Sequence, residues 1–161
     1  MDQAPPAKKI SNSRITISQL MQLEHANNLG NVHGGWIMKL VDEAGALACM
    51  RHSQHRVVTV SVDQLTFRQP IRIGDLVTLT AEVSFVGNTS MEAEVHVVAE
   101  NPITGECTHT NTAYLVYVAL DDHGKPIQVP QLIPENDAQR LRMKEGRARQ
   151  DYRLAQRRKE V

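Results

Sequence analysis

The sequence predicts an α+β fold in which a curved antiparallel sheet wraps one long apolar helix and a charged helix closes the chain. Three observations carry this reading. Apolar residues recur at helical spacing through residues 34–51. Strict alternation runs through residues 76–85 and again through 91–99. The turn signals Gly87-Asn88 and Asn101-Pro102-Ile103-Thr104-Gly105 sit where hairpins would follow those two strands.

Taken in order, residues 1–12 read as a disordered N-terminus, and the polar start Met1-Asp2-Gln3-Ala4-Pro5-Pro6 does not resemble a signal peptide. Residues 14–23 read as an early edge strand, and residues 24–32 as a loop rich in Asn and Gly. In the helix, Ile37, Leu40, Val41, Ala44, Leu47 and Ala48 share one face at about 100° per residue. From Arg56 the period becomes two: Val58, Val60 and Val62 are in step, but Leu65 and Phe67 fall on the other parity. That slip predicts a bulge near Asp63-Gln64. In the next strand Val77, Leu79, Ala81, Val83 and Phe85 oppose Thr78, Thr80, Glu82 and Ser84; then Met91, Ala93, Val95 and Val97 oppose Glu92, Glu94 and His96. Residues 107–119, apolar on both parities, read as a central strand. After Pro130 and Pro134 comes a basic helix over about 135–159, with Gly146 as its weak point.

Composition narrows the class. With 161 residues and 41% hydrophobic content, one domain with an ordinary core is expected. The six aromatics leave that core to Val, Leu, Ile, Ala and Met. No apolar run is long enough to span a bilayer, so no membrane association and a cytoplasmic location are expected. Cys49 and Cys107, without CxxC or clustered histidines, give no metal site and no disulfide framework. Net charge is zero, yet residues 135–161 hold nine Lys and Arg against five Asp and Glu. A neutral body with a basic tail argues against nucleic-acid binding and suits one small phosphate-rich ligand.

One acid breaks the helical pattern. Glu43 lies one turn after Lys39 on the outer side, an ordinary ion-pair position. Asp42 lies instead at the border of the apolar stripe, among Met38, Gly45, Ala46 and Cys49. A carboxylate there must be paired, hydrogen-bonded or perturbed. Periodicity alone leaves two readings open: a reactive acid in a cleft, or an acid that caps or pairs at a subunit contact.

The segment Asn27-Asn28-Leu29-Gly30-Asn31-Val32-His33-Gly34-Gly35, with Met38-Lys39 and Asp42-Glu43-Ala44-Gly45-Ala46, resembles the signature of hotdog-fold acyl-CoA thioesterases, most closely their cytosolic acyl-CoA hydrolase branch. Phe67-Arg68-Gln69-Pro70-Ile71 with Gly74-Asp75, Val86-Gly87-Asn88-Thr89-Ser90-Met91 and Asn101-Pro102-Ile103-Thr104-Gly105-Glu106 extend the match. It covers residues 13–129, so a hotdog domain over 13–130 and a basic C-terminal helix over 131–161 are expected.

The resemblance implies hydrolysis of fatty acyl-CoA to free acid and coenzyme A, without cofactor or metal. It gives Asp42 as general base or nucleophile, and Asn27, fifteen residues earlier, as the group that positions water or the carbonyl. It also implies a homodimer as the minimal unit, commonly a trimer of dimers. The Gly35 amide, in the unpaired first turn, is the candidate oxyanion donor. Gly35 and Asp42 are seven residues apart, roughly 10 Å along a regular helix. Either the helix starts later or two chains share the site; the resemblance favours the second, with Asn27 facing Asp42 across a subunit boundary. For coenzyme A, Asn88, Thr89 and Ser90 offer hydroxyls and turn amides. The tail arginines Arg147, Arg149, Arg153, Arg157 and Arg158 offer charge for the 3′-phosphate. The same tail also reads as a solvated helix, or as one packed on a neighbouring dimer.

Competing candidates carry less. His33 before a helix is more often structural than a base, and Asn31 reads as a loop-holding residue. Cys49 and Cys107 read as small core residues, and the methionines as gap-fillers or tunnel walls. The alternative function is a non-catalytic acyl-CoA-binding module; the presence of both Asn27 and Asp42 favours the enzyme. A dehydratase of this fold would need a catalytic His, and His33 does not match its position.

Overall fold

The computed structural model describes residues 4–63 and 65–159. Along the chain the elements are β1 (Lys8–Lys9), β2 (Ile15–Leu20), α1 (Gly34–Ser53), β3 (Arg56–Val62), β4 (Leu76–Val86), β5 (Ser90–Glu100), β6 (Cys107–Leu120), β7 (Leu132–Ile133) and α2 (Asp137–Arg157). Five strands form one antiparallel sheet in the order β2-β4-β5-β6-β3, the hotdog arrangement expected from the sequence.

Alternation builds the core. Val77, Leu79, Ala81 and Val83 of β4, with Met91, Ala93, Val95 and Val97 of β5, are fully buried. They meet Ile37, Val41, Ala44, Ala48 and Cys49 of α1 in one cluster. The helix is rotated slightly from the expected setting: Leu47 is 39% exposed while Gly45 and Cys49 are buried. That rotation turns the Asp42 side of the helix toward the sheet.

The strand irregularities fall elsewhere than expected. In β3 the register against β6 shifts between Thr59 and Ser61. Of the predicted bulge at Asp63-Gln64, Gln64 lies outside the described residues, and β3 ends at Val62. Val58, Val60 and Val62 do not enter this chain's core; they are 43%, 54% and 50% exposed on an edge strand. A second shift, between Val83 and Phe85, takes Phe85 out of the inner face and places it under α2.

The outer face of the sheet carries α2. Glu92, on β5, is buried and accepts from Ser84 Oγ at 2.7 Å, Arg149 Nη2 at 2.8 Å and Arg153 Nη2 at 2.9 Å. A buried carboxylate is tolerable only with such partners. Gly146 is therefore a point of close approach: a Cβ there would stand 2.7 Å from Phe85 Cβ and 3.0 Å from Glu92 Oε1.

The N-terminal dozen also differs from expectation. Residues 1–3 lie outside the described residues, but β1 pairs in parallel with β7, and Ile10 is buried. Lys8 Nζ donates to the His52 carbonyl at 2.7 Å, at the end of α1 where its dipole favours a cation. Ser11 donates to Glu135 through both its N–H and its hydroxyl. These contacts order residues that composition alone marked as free.

Candidate active site

Asp42 is held by two hydroxyls that meet on one oxygen. Thr59 Oγ1, beside the β3 register shift, donates to Asp42 Oδ1 at 2.8 Å. Tyr117, fully buried on β6, places its hydroxyl 3.0 Å from the same Oδ1 and 2.9 Å from the Asp42 main-chain oxygen. Burial, then the charge of Asp42, pushes the Tyr117 hydroxyl well above the usual tyrosine range, so it stays a donor. Gly45 makes the approach possible, because a Cβ at that position would lie 2.5 Å from the Tyr117 oxygen. Among the described residues no donor reaches Asp42 Oδ2.

Asn27 sits in the loop before α1, and that loop is built around it. Its Oδ1 accepts from Leu29 N at 2.9 Å and Asn31 N at 3.1 Å, while its own N–H donates to the Asn31 carbonyl. Gly30 takes a positive φ of 81° to close the turn. Asn31, expected to hold the loop, does so through its backbone N–H and carbonyl, and the side chain that receives that N–H is that of Asn27. With Oδ1 occupied, the end available to a ligand is the Nδ2 donor. Asn27 lines a cleft of about 280 Å³ with Val32, Gly34, Ile37, Phe67 and Pro70. Asp42 does not line it, and among the described residues no hydrogen bond joins Asn27 to Asp42.

The helix begins at Gly34, which removes the later-start alternative for Gly35. The Gly35 N–H donates to His33 Nδ1 at 2.9 Å, so His33 caps the helix through its ring. Around it, His33 N donates to the His25 carbonyl, and His25 stacks on Trp36 at 4.3 Å between centroids. Glu43 pairs with Lys39 at 2.6 Å, as its position on the helix predicts. The Cys49 thiol is pushed far up by burial and is inert.

A second groove, of about 470 Å³, brings Thr89, Ser90, Arg153 and Arg157 together with Val60 and Ser61 of β3. Asn88, expected with them, does not line this groove; its carbonyl accepts from Val129 N at 2.9 Å and so holds the turn. Arg153 is only 14% exposed at its side chain and already pairs with Asp63 at 2.9 Å and with Glu92. Arg157 is exposed at the same groove.

Sequence reasoning singled out neither Thr59 nor Tyr117. One signal for Tyr117 was present: Gly45 interrupts the apolar helix three residues after Asp42, and a glycine there costs about 1 kcal/mol relative to Ala unless something must come close.

Residues 29–106 match the sequence profile of the Thioesterase superfamily. An acyl-CoA hydrolase from Staphylococcus aureus, solved with butyryl coenzyme A, coenzyme A and coenzyme A disulfide, superposes with a TM-score of 0.88 at 32% identity, covering 96% of this chain and 94% of that one. The chain belongs to the thioesterase superfamily. Within this superfamily, an apo hexameric acyl-CoA thioesterase gives a TM-score of 0.90 at 34% identity over 94% of this chain and 97% of that one. The cytosolic acyl coenzyme A thioester hydrolase of Rattus norvegicus is 35% identical over 147 residues, 90% of this chain. The chain spans only 39% of the length of that rat relative. The Staphylococcus aureus hydrolase has also been solved as single alanine variants of an aspartate, of an asparagine fifteen positions before it, and of a threonine seventeen positions after it.

Proposed function

We propose that this protein hydrolyses acyl-CoA thioesters to the free acid and coenzyme A, with Asp42 as general base or nucleophile and Asn27 of the partner subunit as its complement. The observation that carries the reading is the Asp42 carboxylate, anchored through Oδ1 by Thr59 and Tyr117 with Oδ2 left open. Asn27, Asp42 and Thr59 repeat the fifteen- and seventeen-residue intervals of the three positions varied in the Staphylococcus aureus hydrolase.

In the general-base form, Asp42 Oδ2 takes a proton from water and the hydroxide adds to the thioester carbonyl. The tetrahedral intermediate expels the coenzyme A thiolate, which takes up the proton. In the nucleophilic form Oδ2 adds to the carbonyl, the thiolate leaves, and water then cleaves the mixed anhydride. A thiolate leaves readily, so neither route demands a second acid. Asn27 Nδ2, freed for ligands because its Oδ1 is bound by the loop, is suited to polarise the carbonyl oxygen.

Two features support an assembly in which these groups meet. The edge strand β3 exposes Val58, Val60 and Val62 beside Thr59, an apolar edge that a second copy would cover. Asn27 and Asp42 also line no common cleft within one chain. A homodimer as the minimal unit, built up to a trimer of dimers, satisfies both. The groove lined by Thr89, Ser90 and Arg157 suits the phosphates of coenzyme A. Arg153 contributes there by holding the groove wall, since Asp63 and Glu92 engage its charge.

The test is thiol release from short- to long-chain acyl-CoAs by wild type, Asp42→Ala and Asn27→Ala. Hydrolysis by wild type and its loss in both variants supports the reading. A wild type that binds acyl-CoA but releases no thiol makes the protein a binding module and Asp42 a structural acid.

A further inference from the structure

We propose that Tyr117 is a positioning residue for this reaction, holding Asp42 in place from the middle of the sheet, and that Gly45 is kept open to admit it. The inference rests on the reading of Asp42 as the reacting acid. Its ground is geometric. The Tyr117 hydroxyl lies 3.0 Å from Asp42 Oδ1 and 2.9 Å from the Asp42 carbonyl, so one phenol reaches both the side chain and the main chain of the same residue. Thr59 approaches Oδ1 from the edge strand, 2.8 Å away. Two donors on one oxygen, fixed by β3 and β6, set the plane of the carboxylate and leave Oδ2 as the oxygen offered to water or to the thioester.

The two anchors differ in kind. Thr59 is exposed on an edge strand, whereas Tyr117 is fully buried within the core cluster. A phenol in that setting normally requires a hydrogen-bond partner, and Asp42 supplies it. Gly45 is the matching feature on the helix. Its absent side chain leaves the space the phenol oxygen occupies, and any Cβ would stand 2.5 Å from that oxygen and 3.1 Å from the ring. The ring shares this tight fit, but the closest approach is to the hydroxyl oxygen, the atom that bonds Asp42 and that a phenylalanine would lack.

The test compares kcat and KM of Tyr117→Phe, Gly45→Ala and the double variant, in the full chain, on an acyl-CoA that the wild type hydrolyses, with Asp42→Ala as reference. Tyr117→Phe removes one oxygen and keeps the ring; Gly45→Ala keeps the phenol and displaces it. Each is expected to lower kcat about tenfold or more, the scale of one lost hydrogen bond to an ionised group, with KM changed by less than about twofold. The double variant is expected to fall no further than the worse single one, because both act through the same contact. A Tyr117→Phe enzyme with wild-type kcat overturns the proposal, as do losses that multiply in the double variant. If Asp42→Ala itself keeps wild-type activity, the underlying functional reading falls instead. Should Tyr117→Phe fail to fold, the kcat and KM of Gly45→Ala decide the matter alone.

Discussion

The backbone N–H of Gly35 donates to the ring Nδ1 of His33 at 2.9 Å, so the amide that the helix start would offer to an oxyanion is capped by its own neighbour. If His33 serves as a cap and no more, His33→Ala costs about 0.5–2 kcal/mol of stability, the range for a lost N-cap, and leaves kcat within a few-fold of wild type. Thermal melts and steady-state rates on the same samples check both halves. A large loss of kcat without loss of stability would make His33 a participant in the chemistry.

Glu92 anchors α2 to the outer face. Its carboxylate is buried and bound by both Arg149 and Arg153. Removing it by Glu92→Ala takes away the carboxylate that both arginines share; Arg153 keeps Asp63, and Arg149 is 24% exposed and turns to solvent. The expected cost is therefore about 2–3 kcal/mol, below the range for stranding a fully buried charge. Urea denaturation read by circular dichroism checks it.

Glu94, two residues along β5, gives a pH prediction. Burial alone would raise its carboxyl, but the hydrogen bond and charge of His96, with Arg142 and Arg149 nearby, bring it below the usual carboxylate range. The folded state therefore binds this proton less readily than the unfolded chain does. The pair contributes stability above the ordinary glutamate range and loses it as pH falls through the lower folded value. Glu94→Gln is expected to lie below wild type in stability at neutral pH and to converge on it in acid. A gap that stays constant with pH would contradict this.

Gly146 separates helix propensity from packing. On propensity alone Gly146→Ala would stabilise α2 by about 1 kcal/mol. The space is absent, since the new Cβ would meet Phe85 Cβ at 2.7 Å, and Phe85 lies on a strand that cannot give way easily. The variant is expected to melt below wild type.

Much of this was legible in the sequence because single-chain periodicity reports single-chain burial. The alternation of β4 and β5, the long helix after His33 and Asp42 on its flank all follow from residues meeting one core. What sequence reasoning misplaced depends on contacts between distant segments. Val58, Val60 and Val62 look like core residues, but the order of strands puts them on an edge. Phe85 is in phase with Val83 until a register shift turns it to α2. Lys8 and Lys9 look unstructured until β7, more than 120 residues later, pairs with them. Thr59 and Tyr117 were hidden for the same reason, since nothing local in β3 or β6 marks them as partners of Asp42.

The proposed site, shared between two copies of the chain, is tested most directly by subunit mixing. Asp42→Ala and Asn27→Ala are purified separately, shown to be inactive, mixed under conditions of proven subunit exchange, and assayed for thiol release. Mixed dimers carry one site with both residues intact, so the account predicts that about a quarter of wild-type activity per site returns at full random exchange of equal amounts. No recovery despite exchange would place Asn27 and Asp42 of the same chain in one site and contradict it.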